Sequence, residues 1–484
     1  MASGAYTTSP HCSDKLWKTS ACRVRRFFEG CSTETKQTDQ THAARTTATD
    51  ACLDPYVRCA LSGAAQTALG VSDSAVLAHA PQGCNYLVDG AFSWQDCDYA
   101  QTTTLCTKLC EDEIVHGGEE LLARTILEAK ELDIAALFVL SACGPEIVGD
   151  DIIAVCEEMQ PRVDFTIVPI ECAGFRGSQY DGIDLALDAM LRALTGNGCP
   201  KIPHSVCLVA PHANANPTWM ADLEWVKNVL GQLGVQVLAT LTHATALSEF
   251  ASVSAAEGVL QLSHDAGYGA VKHLVDTFGV EPLCWDLPLP IGMTNTRRWL
   301  TALGERFDAE RSAEELIAEG ERTVMETCRR RWPVARFFYR TPAAIVADAT
   351  VGIPLVRFAT EEMELTPALV ALRSAHPEAQ RLLEKELNDL GLAPQVAYGT
   401  DVFATRRSLE AVRPRVVFGS TIERHASEGL DVPYIFEVVR PVRQFRLLNR
   451  EYFGYRGILN LLECIQNEWS DRWRSTQRRY AARW

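Results

Sequence analysis

Short, continuously apolar runs that alternate with longer amphipathic stretches are the feature that most constrains this fold. The runs are rich in Val, Ile and Leu, and stretches such as GGEELLARTILEAKEL and PTWMADLEWVKNVLGQLG flank them. Strands that are apolar on both faces are typical of parallel sheets covered by helices on both sides. The runs predict strands within 133–143, 163–172, 205–211, 234–241, 343–350, 414–421 and 432–439.

The spacing of these runs predicts three doubly wound α/β domains. Their limits are 51–200, 201–340 and 341–484, and the last domain ends in a C-terminal helix. Residues 1–50 are rich in Thr, Ser and charged residues and predict an N-terminal arm. Ligands of such folds bind beyond the carboxyl ends of strands. We therefore expect the site in the loops that follow Ala142, Cys172, Ala210 and Ser420.

Charge and hydropathy exclude two kinds of partner. The chain has 46 Lys and Arg against 62 Asp and Glu, a formal net charge of −16, whereas binding nucleic acid requires a basic face. Its apolar runs fall short of the ~20 residues that span a bilayer, and the start MASGAYTTSPHCSDK lacks a signal-peptide core. The sequence predicts a cytoplasmic protein with neither a nucleic-acid nor a membrane partner.

Seventeen cysteines are the unusual part of the composition. Because no export signal accompanies them, we expect free thiols, most of them buried like small apolar residues. Three differ because they lie at predicted turns or strand exits: Cys59 in RCALSGAAQ, Cys84 in HAPQGCNYL and Cys143 in SACGPEIVGDD. Backbone N–H groups in such turns can hydrogen-bond a thiolate, so these three are candidate metal ligands.

Three thiolates are fewer than the four of an ordinary iron–sulfur site, so a second chain or a local fourth ligand is needed. The local candidates are Cys52, Cys97, Cys106 and Cys110, and the last two, spaced i and i+4, could share one helical face. The sequence contains no G-x-x-x-x-G-K-[ST], H-E-x-x-H or G-x-S-x-G motif. If the chemistry requires ATP, another protein must bring it.

Several segments in this order resemble the β-type subunit of the nitrogenase component 1 superfamily. They are the contexts of Cys59, Cys84 and Cys143, followed by GFRGSQYDGID, LPLPIGMTNTRRWL, FGSTIERHASEGLDVPY and FGYRGILNLL. The resemblance implies three Rossmann-like domains and an [8Fe-7S] P-cluster, shared with an α-type subunit, whose ligands on this chain are those three cysteines. It further implies an α2β2 heterotetramer, an ATP-hydrolysing P-loop iron protein, and an active-site iron–sulfur cofactor in the partner chain.

An α-type chain would need a cofactor-binding Cys near residue 260, where this sequence reads QLSHDAG. The β-type reading is therefore favoured, with electron relay as its role and no catalytic residue in this chain. Gly174 stands where β subunits of molybdenum nitrogenase tend to have a Ser that ligates the oxidised cluster. We expect His79, His264 and His425 to be structural.

Within the superfamily, the Cys-rich arm and the divergent motifs most resemble the nitrogenase-like methylthio-alkane reductases, which cleave C–S bonds reductively. Three alternatives stay open at this point. They are a dinitrogen-reducing β subunit, a non-catalytic scaffold for cofactor assembly, and a self-contained four-iron protein that uses Cys97, Cys106 or Cys110.

Overall fold

The computed structural model describes most of the chain after residue 55. The described residues are 56–90, 103–196, 198–212, 216–331, 338–440, 448 and 450–476. They belong to one compact unit. The predicted arm at 1–50, Cys52 and Cys97 lie outside these ranges.

Three parallel sheets follow one another along the chain. The first, in the order β2-β1-β3-β4, has strands Ser74–His79 (β1), Thr103–Cys106 (β2), Ala136–Ser141 (β3) and Thr166–Glu171 (β4). The second, β6-β5-β7-β8, has strands Ile202–Val209 (β5), Gln236–Leu241 (β6), Ala256–Gln261 (β7) and Glu281–Leu283 (β8). The third, β11-β10-β9-β12-β13, has strands Pro342–Ala347 (β9), Thr366–Leu372 (β10), Gln395–Tyr398 (β11), Val416–Gly419 (β12) and Tyr434–Glu437 (β13).

Helices connect these strands. Those of the first sheet are Ala60–Ala68 (α1), Gln82–Gly90 (α2), Glu111–His116 (α3), Glu119–Glu128 (α4), Cys143–Val148 (α5), Ile152–Met159 (α6) and Gln179–Leu194 (α7). Next come Trp219–Gln232 (α8), Leu247–Ser252 (α9), Tyr268–Phe278 (α10), Met293–Arg306 (α11) and Glu310–Arg331 (α12). The third sheet is flanked by Ala349–Glu361 (α13), Pro377–Asp389 (α14), Val402–Val412 (α15), Thr421–Ala426 (α16) and Gly454–Thr476 (α17).

The structure confirms the predicted α/β class with parallel sheets and flanking helices. Each of the seven predicted apolar runs contains or overlaps a strand, and the two quoted amphipathic stretches form α4 and α8. Both faces of the central strands are covered, since every residue of β1 and β3 is buried. The three domain limits themselves stay a prediction.

Apolar packing joins the sheets to one another. One buried cluster contains Val76 and Phe138 of the first sheet together with Val209 of the second. Another contains Leu208 of the second sheet and Ile345 of the third. Each such side chain contributes roughly 1.5–3 kcal/mol when it is fully buried, so these shared cores fix the sheet ends relative to one another.

Within the described ranges, no helix combines the length and the hydrophobicity needed to cross a membrane.

Candidate metal centre

Cys84 and Cys143 follow the two central strands of the first sheet. β1 and β3 are neighbours, with His79 beside Ser141 in register at their carboxyl ends. The chain leaves β1 towards β2 on one side and continues from β3 to β4 on the other, so the strand order reverses between β1 and β3. Doubly wound folds bind their ligands at such a reversal. The structure thus brings these two predicted ligands to the expected end of the sheet.

Both cysteines lie in the first turn of a helix. Cys143 is the first residue of α5, and Cys84 is the third residue of α2, where its N–H donates to the Pro81 carbonyl at 3.1 Å. The sequence predicted a turn around Cys84, because Pro and Gly flank it. The structure corrects this to a helix start, since Pro81 precedes the helix and Gly83 is accommodated in its first turn.

Cys59 is carried to the same place by two closely packed helices, α1 and α7. A Cβ on Gly63 would lie 1.9 Å from the Gln179 carbonyl oxygen, and a Cβ on Gly182 would lie 1.9 Å from the Ala60 carbonyl oxygen. The two backbones can approach this closely because both positions lack a side chain. Cys59 immediately precedes α1, so this contact sets its position.

The sulfurs of Cys59 and Cys143 meet at Gly174. An ideal Cβ on Gly174 would lie 3.1 Å from Cys143 Sγ and 3.6 Å from Cys59 Sγ. The Gly174 N–H also donates to Cys143 Sγ at 3.1 Å. Glycine therefore leaves room for both sulfurs and supplies one of them with a hydrogen bond, as expected for a thiolate ligand.

Cys84 belongs to the same group by its electrostatics. Burial raises the pKa of the Cys84 thiol, and the nearby sulfurs of Cys143, Cys59 and Cys106 raise it further. Several thiolates brought together repel one another, and bound metal cations relieve this repulsion because they coordinate the deprotonated form. The donor set of soft thiols suits iron–sulfur chemistry.

Cys106 and Cys110 do not share a helical face, which corrects the prediction from their spacing. Cys106 ends β2, whereas Cys110 is the N-cap of α3. The strand ends between them, so the i, i+4 rule for helices does not apply. Cys106 Sγ accepts from the Lys108 N–H and donates to the Ala80 carbonyl, each at 3.3 Å. Of the two, Cys106 is the one near Cys84 that raises the pKa of its thiol.

The three thiols are partly exposed, and large apolar side chains lie beside them on the surface. Cys59, Cys84 and Cys143 are all of intermediate exposure. Large apolar side chains on the helices and the turn beside them face solvent: Tyr86 (74% exposed), Val115 (69%), Ile147 (74%) and Phe175 (61%). Exposed apolar side chains around a site are typical of a surface that another protein covers.

The twelve described cysteines are free thiols, but only Cys156, Cys172 and Cys207 among them are fully buried. The expectation that most cysteines are buried is therefore not met within the described ranges. For Cys156 and Cys207, burial raises the thiol pKa to about 12. In those ranges no group of three His, Cys, Asp or Glu side chains is close enough to hold a single metal ion.

The three histidines have structural contacts, as predicted. Buried His79 hydrogen-bonds Asp150 Oδ2 at 3.0 Å and Thr107 Oγ1 at 3.2 Å. Buried His264 accepts the Leu289 N–H at 3.1 Å, and burial lowers the pKa of His264 to about 3. Exposed His425 pairs through Nδ1 with Glu428 Oε1 at 3.1 Å, just beyond the end of α16.

Sequence reasoning missed two polar residues beside the thiols, Ser141 and Glu146. Glu146 Oε1 accepts from the Ala173 N–H at 3.0 Å, and Ser141 Oγ accepts from the Cys172 N–H at 3.2 Å. The available signal was a Glu three residues after Cys143, within one turn of helix. Its partner segment lies 27 residues further on, which the spacing alone does not reveal.

Residues 59–470 match the family of nitrogenase component 1 type oxidoreductases. The vanadium-iron protein beta chain of nitrogenase from Trichormus variabilis is 24% identical over 86% of this chain and 93% of its own length. The molybdenum-iron protein alpha chain from Methanothermobacter marburgensis is 24% identical over 87% and 88%.

The cofactor biosynthesis protein NifE from Bradyrhizobium diazoefficiens is 29% identical, but the match spans 46% of this chain and 40% of NifE. Two solved structures of nitrogenase Cp1 share the fold. That at pH 6.5 has a TM-score of 0.73 and 16% identity over 89% of this chain and 96% of its own. That at pH 5 has a TM-score of 0.68 and 19% identity over 90% and 92%.

Proposed function

This chain belongs to the nitrogenase component 1 family of oxidoreductases, and from that premise we propose that it is the β-type subunit of a nitrogenase-like reductase. Proteins of this family bind iron–sulfur clusters and form α/β tetramers that work with an iron protein. In the proposal, Cys59, Cys84 and Cys143 supply this chain's ligands to an [8Fe-7S] P-cluster shared with an α-type subunit.

The convergence of three thiols at the carboxyl end of the first sheet carries the proposal. Cys59 and Cys143 both lie at Gly174, and the sulfurs of both raise the pKa of the Cys84 thiol beyond the effect of its burial. Three thiolates are an incomplete set, and their partial exposure beside Tyr86, Val115, Ile147 and Phe175 suits a second chain that completes it. A cluster bound there would supply one-electron transfer between the iron protein and a cofactor in the α-type subunit.

The residues of this chain then have defined tasks. The three thiolates bind iron, and the Gly174 N–H stabilises negative charge on Cys143 Sγ. The exposed apolar side chains exclude water once the partner covers them, which lowers the local dielectric constant and strengthens the electrostatic interactions at the site.

The region around Ser263 favours the β type over the α type. Ser263 Oγ hydrogen-bonds Thr350 Oγ1 at 3.0 Å, and His264 Nε2 accepts from Leu289 N–H. Both side chains are buried, and the bond between Ser263 and Thr350 joins the segment after β7 to the start of α13. We place the active-site cofactor in the partner chain for this reason.

The proposed reaction is reductive cleavage of a C–S bond in a methylthio-alkane. The C–S bond breaks, two electrons and two protons enter, and a hydrocarbon and a thiol leave. The electrons come from the iron protein through this subunit. The departure at Gly174 and the Cys-rich segment before residue 55 support this choice over a molybdenum nitrogenase.

The test is turnover by the complex purified with its α-type partner and its iron protein. With ATP and a methylthio-alkane, we expect hydrocarbon and thiol in equal amounts, and little ammonia under N2. Ammonia without C–S cleavage would identify a dinitrogen-reducing enzyme instead.

A second candidate function is a scaffold for cofactor assembly, which the match to NifE favours. A scaffold would pass a bound cluster to another complex without turnover. Transfer of iron to an acceptor, in the absence of substrate reduction with any iron protein, would support it.

A further inference from the structure

Three successive backbone amides after β4 donate to side chains at the end of β3 and in α5. In chain order, the bonds are Cys172 N–H to Ser141 Oγ (3.2 Å), Ala173 N–H to Glu146 Oε1 (3.0 Å) and Gly174 N–H to Cys143 Sγ (3.1 Å). Adjacent amides in one turn cannot move independently. The first two bonds therefore fix the direction of the third, which points at a sulfur.

Glu146 is the centre of this arrangement. Its side chain is 7% exposed, and Arg176 Nε donates to Oε2 at 2.6 Å while Ser141 Oγ donates to Oε1. Arg176 is held in turn by Glu171, at 3.1 Å. Charge-assisted bonds of this kind are the stronger ones, so the carboxylate has one well-defined orientation. It holds Ala173 on one side and Arg176, three residues later, on the other.

We propose that Glu146, held by Arg176, is a positioning residue that keeps the Gly174 amide on Cys143 Sγ and thereby raises the reduction potential of the metal group bound through that sulfur. This rests on the proposed function, since it requires an iron–sulfur group on Cys143. Hydrogen bonds to cluster sulfurs favour the more negatively charged, reduced state. Glu146 acts through backbone geometry and does not itself bind metal.

The first experiment compares Gly174→Pro with Gly174→Ala in the complex assembled with the partner subunit. Both variants add a Cβ 3.1 Å from Cys143 Sγ, but only proline removes the N–H. Ala173 has φ −50° and ψ 146°, a conformation that suits a following proline. The measurement is the midpoint potential in a redox titration followed by EPR, with iron content determined in parallel.

We expect Gly174→Pro to have a more negative midpoint potential than Gly174→Ala. Equal potentials at equal iron content would overturn the proposal. Proline also places its Cδ against Cys143 Sγ in place of the amide hydrogen. If iron is lost from either variant, the potential of Arg176→Met decides, because that variant leaves Gly174 unchanged. It is expected to be more negative than in the wild type, and an unchanged value would overturn the proposal.

The second experiment needs no metal and uses the chain itself. Amide hydrogen exchange in a peptide covering residues 172–176 is compared between the wild type, Glu146→Gln and Arg176→Met. We expect faster exchange in both variants. The control is Arg192→Met, which removes an exposed pair with Asp188 elsewhere on the surface. Unchanged exchange in both test variants would overturn the positioning role of Glu146.

The two experiments separate the two possible failures. Absence of iron from the assembled wild-type complex would contradict the proposed function, whatever the exchange rates are. Normal iron content together with unchanged exchange and unchanged potentials would contradict only the role of Glu146.

Discussion

The carboxyl ends of the three sheets differ in how their polar groups are used. Each sheet has one point where the strand order reverses: between β1 and β3, between β5 and β7, and between β9 and β12. At the second and third reversal points, residues that follow a strand of one sheet hydrogen-bond residues that follow a strand of the other. Asp265, after β7, accepts from the Ala349 N–H at 2.7 Å and the Thr350 N–H at 2.9 Å, both at the start of the helix after β9.

The first sheet ends differently. Its reversal point carries Cys84 and Cys143, which are of intermediate exposure, whereas Asp265 is only 4% exposed. The same topology therefore gives a structural joint where two strand ends satisfy each other's hydrogen bonds. It gives a candidate binding site where thiols reach a partly open surface. The predictions below test this difference, beginning with the largest expected effect.

Removing a thiol at the carboxyl end of the first sheet should abolish metal binding. Cys143→Ala is expected to lose most of the iron of the assembled complex. Substitution of a residue that only orients a metal ligand typically lowers metal affinity or activity 10–100-fold. Loss of a ligand itself should therefore lower activity at least about 100-fold. The matched control is Cys110→Ser, which changes an exposed helix N-cap to a residue that serves equally well there. Equal iron content in the two variants would contradict the assignment.

Crowding the contact between α1 and α7 should destabilise the region that positions Cys59. Gly182→Ala places a Cβ 1.9 Å from the Ala60 carbonyl oxygen. We expect the free energy of unfolding to fall by about 3 kcal/mol and the iron content of the complex to fall with it. Gly83→Ala, beside Cys84, has no atom within 4 Å of its new Cβ and serves as the control. Urea unfolding measures the stability of both variants, and similar stabilities would show that the close approach of the α1 and α7 backbones is not required.

Disrupting the hydrogen bonds that join the second and third sheets should affect stability alone. Ser263→Ala removes the hydrogen bond to Thr350 and the one accepted from the Asp265 N–H, so we expect a loss of about 2 kcal/mol. The iron content of the complex should stay at the wild-type value. A fall in iron content at unchanged stability would mean that this end, too, belongs to a metal site.

The smallest expected effect is the pH dependence of iron retention. The pKa of the Cys84 thiol is raised by burial and by the neighbouring sulfurs, so the protonated form is favoured at neutral pH. Iron binds the deprotonated form, and retention against a chelator should therefore increase from pH 7 to pH 9. Retention that falls over this range would show that another group controls metal binding.

Much of the fold could be predicted because continuous apolar runs are a local signal. The run 133–143 contains β3, and the run 343–350 overlaps β9. Strands without such a run were missed. β1, in SAVLAH, is short and rich in small residues, and its burial results from the helices around it. Tertiary packing rather than local propensity decides such segments.

The site could be predicted in part. Neighbouring Gly and Pro residues set Cys59, Cys84 and Cys143 apart in the sequence, although Cys84 lies in the first turn of a helix and not in the predicted turn. The meeting of Cys59 and Cys143 at Gly174 depends on two helices in contact and on a turn more than 30 residues beyond Cys143. Glu146 looks like an ordinary helix residue in the sequence, because its hydrogen-bond partners are distant in the chain.

The central claim is that Cys59, Cys84 and Cys143 provide one half of a metal site that a second subunit completes. Iron anomalous scattering from crystals of the assembled complex tests it most directly. The account predicts iron peaks within bonding distance of all three sulfurs at the boundary with the partner chain. Iron peaks elsewhere, with these three thiols uncoordinated, would contradict it.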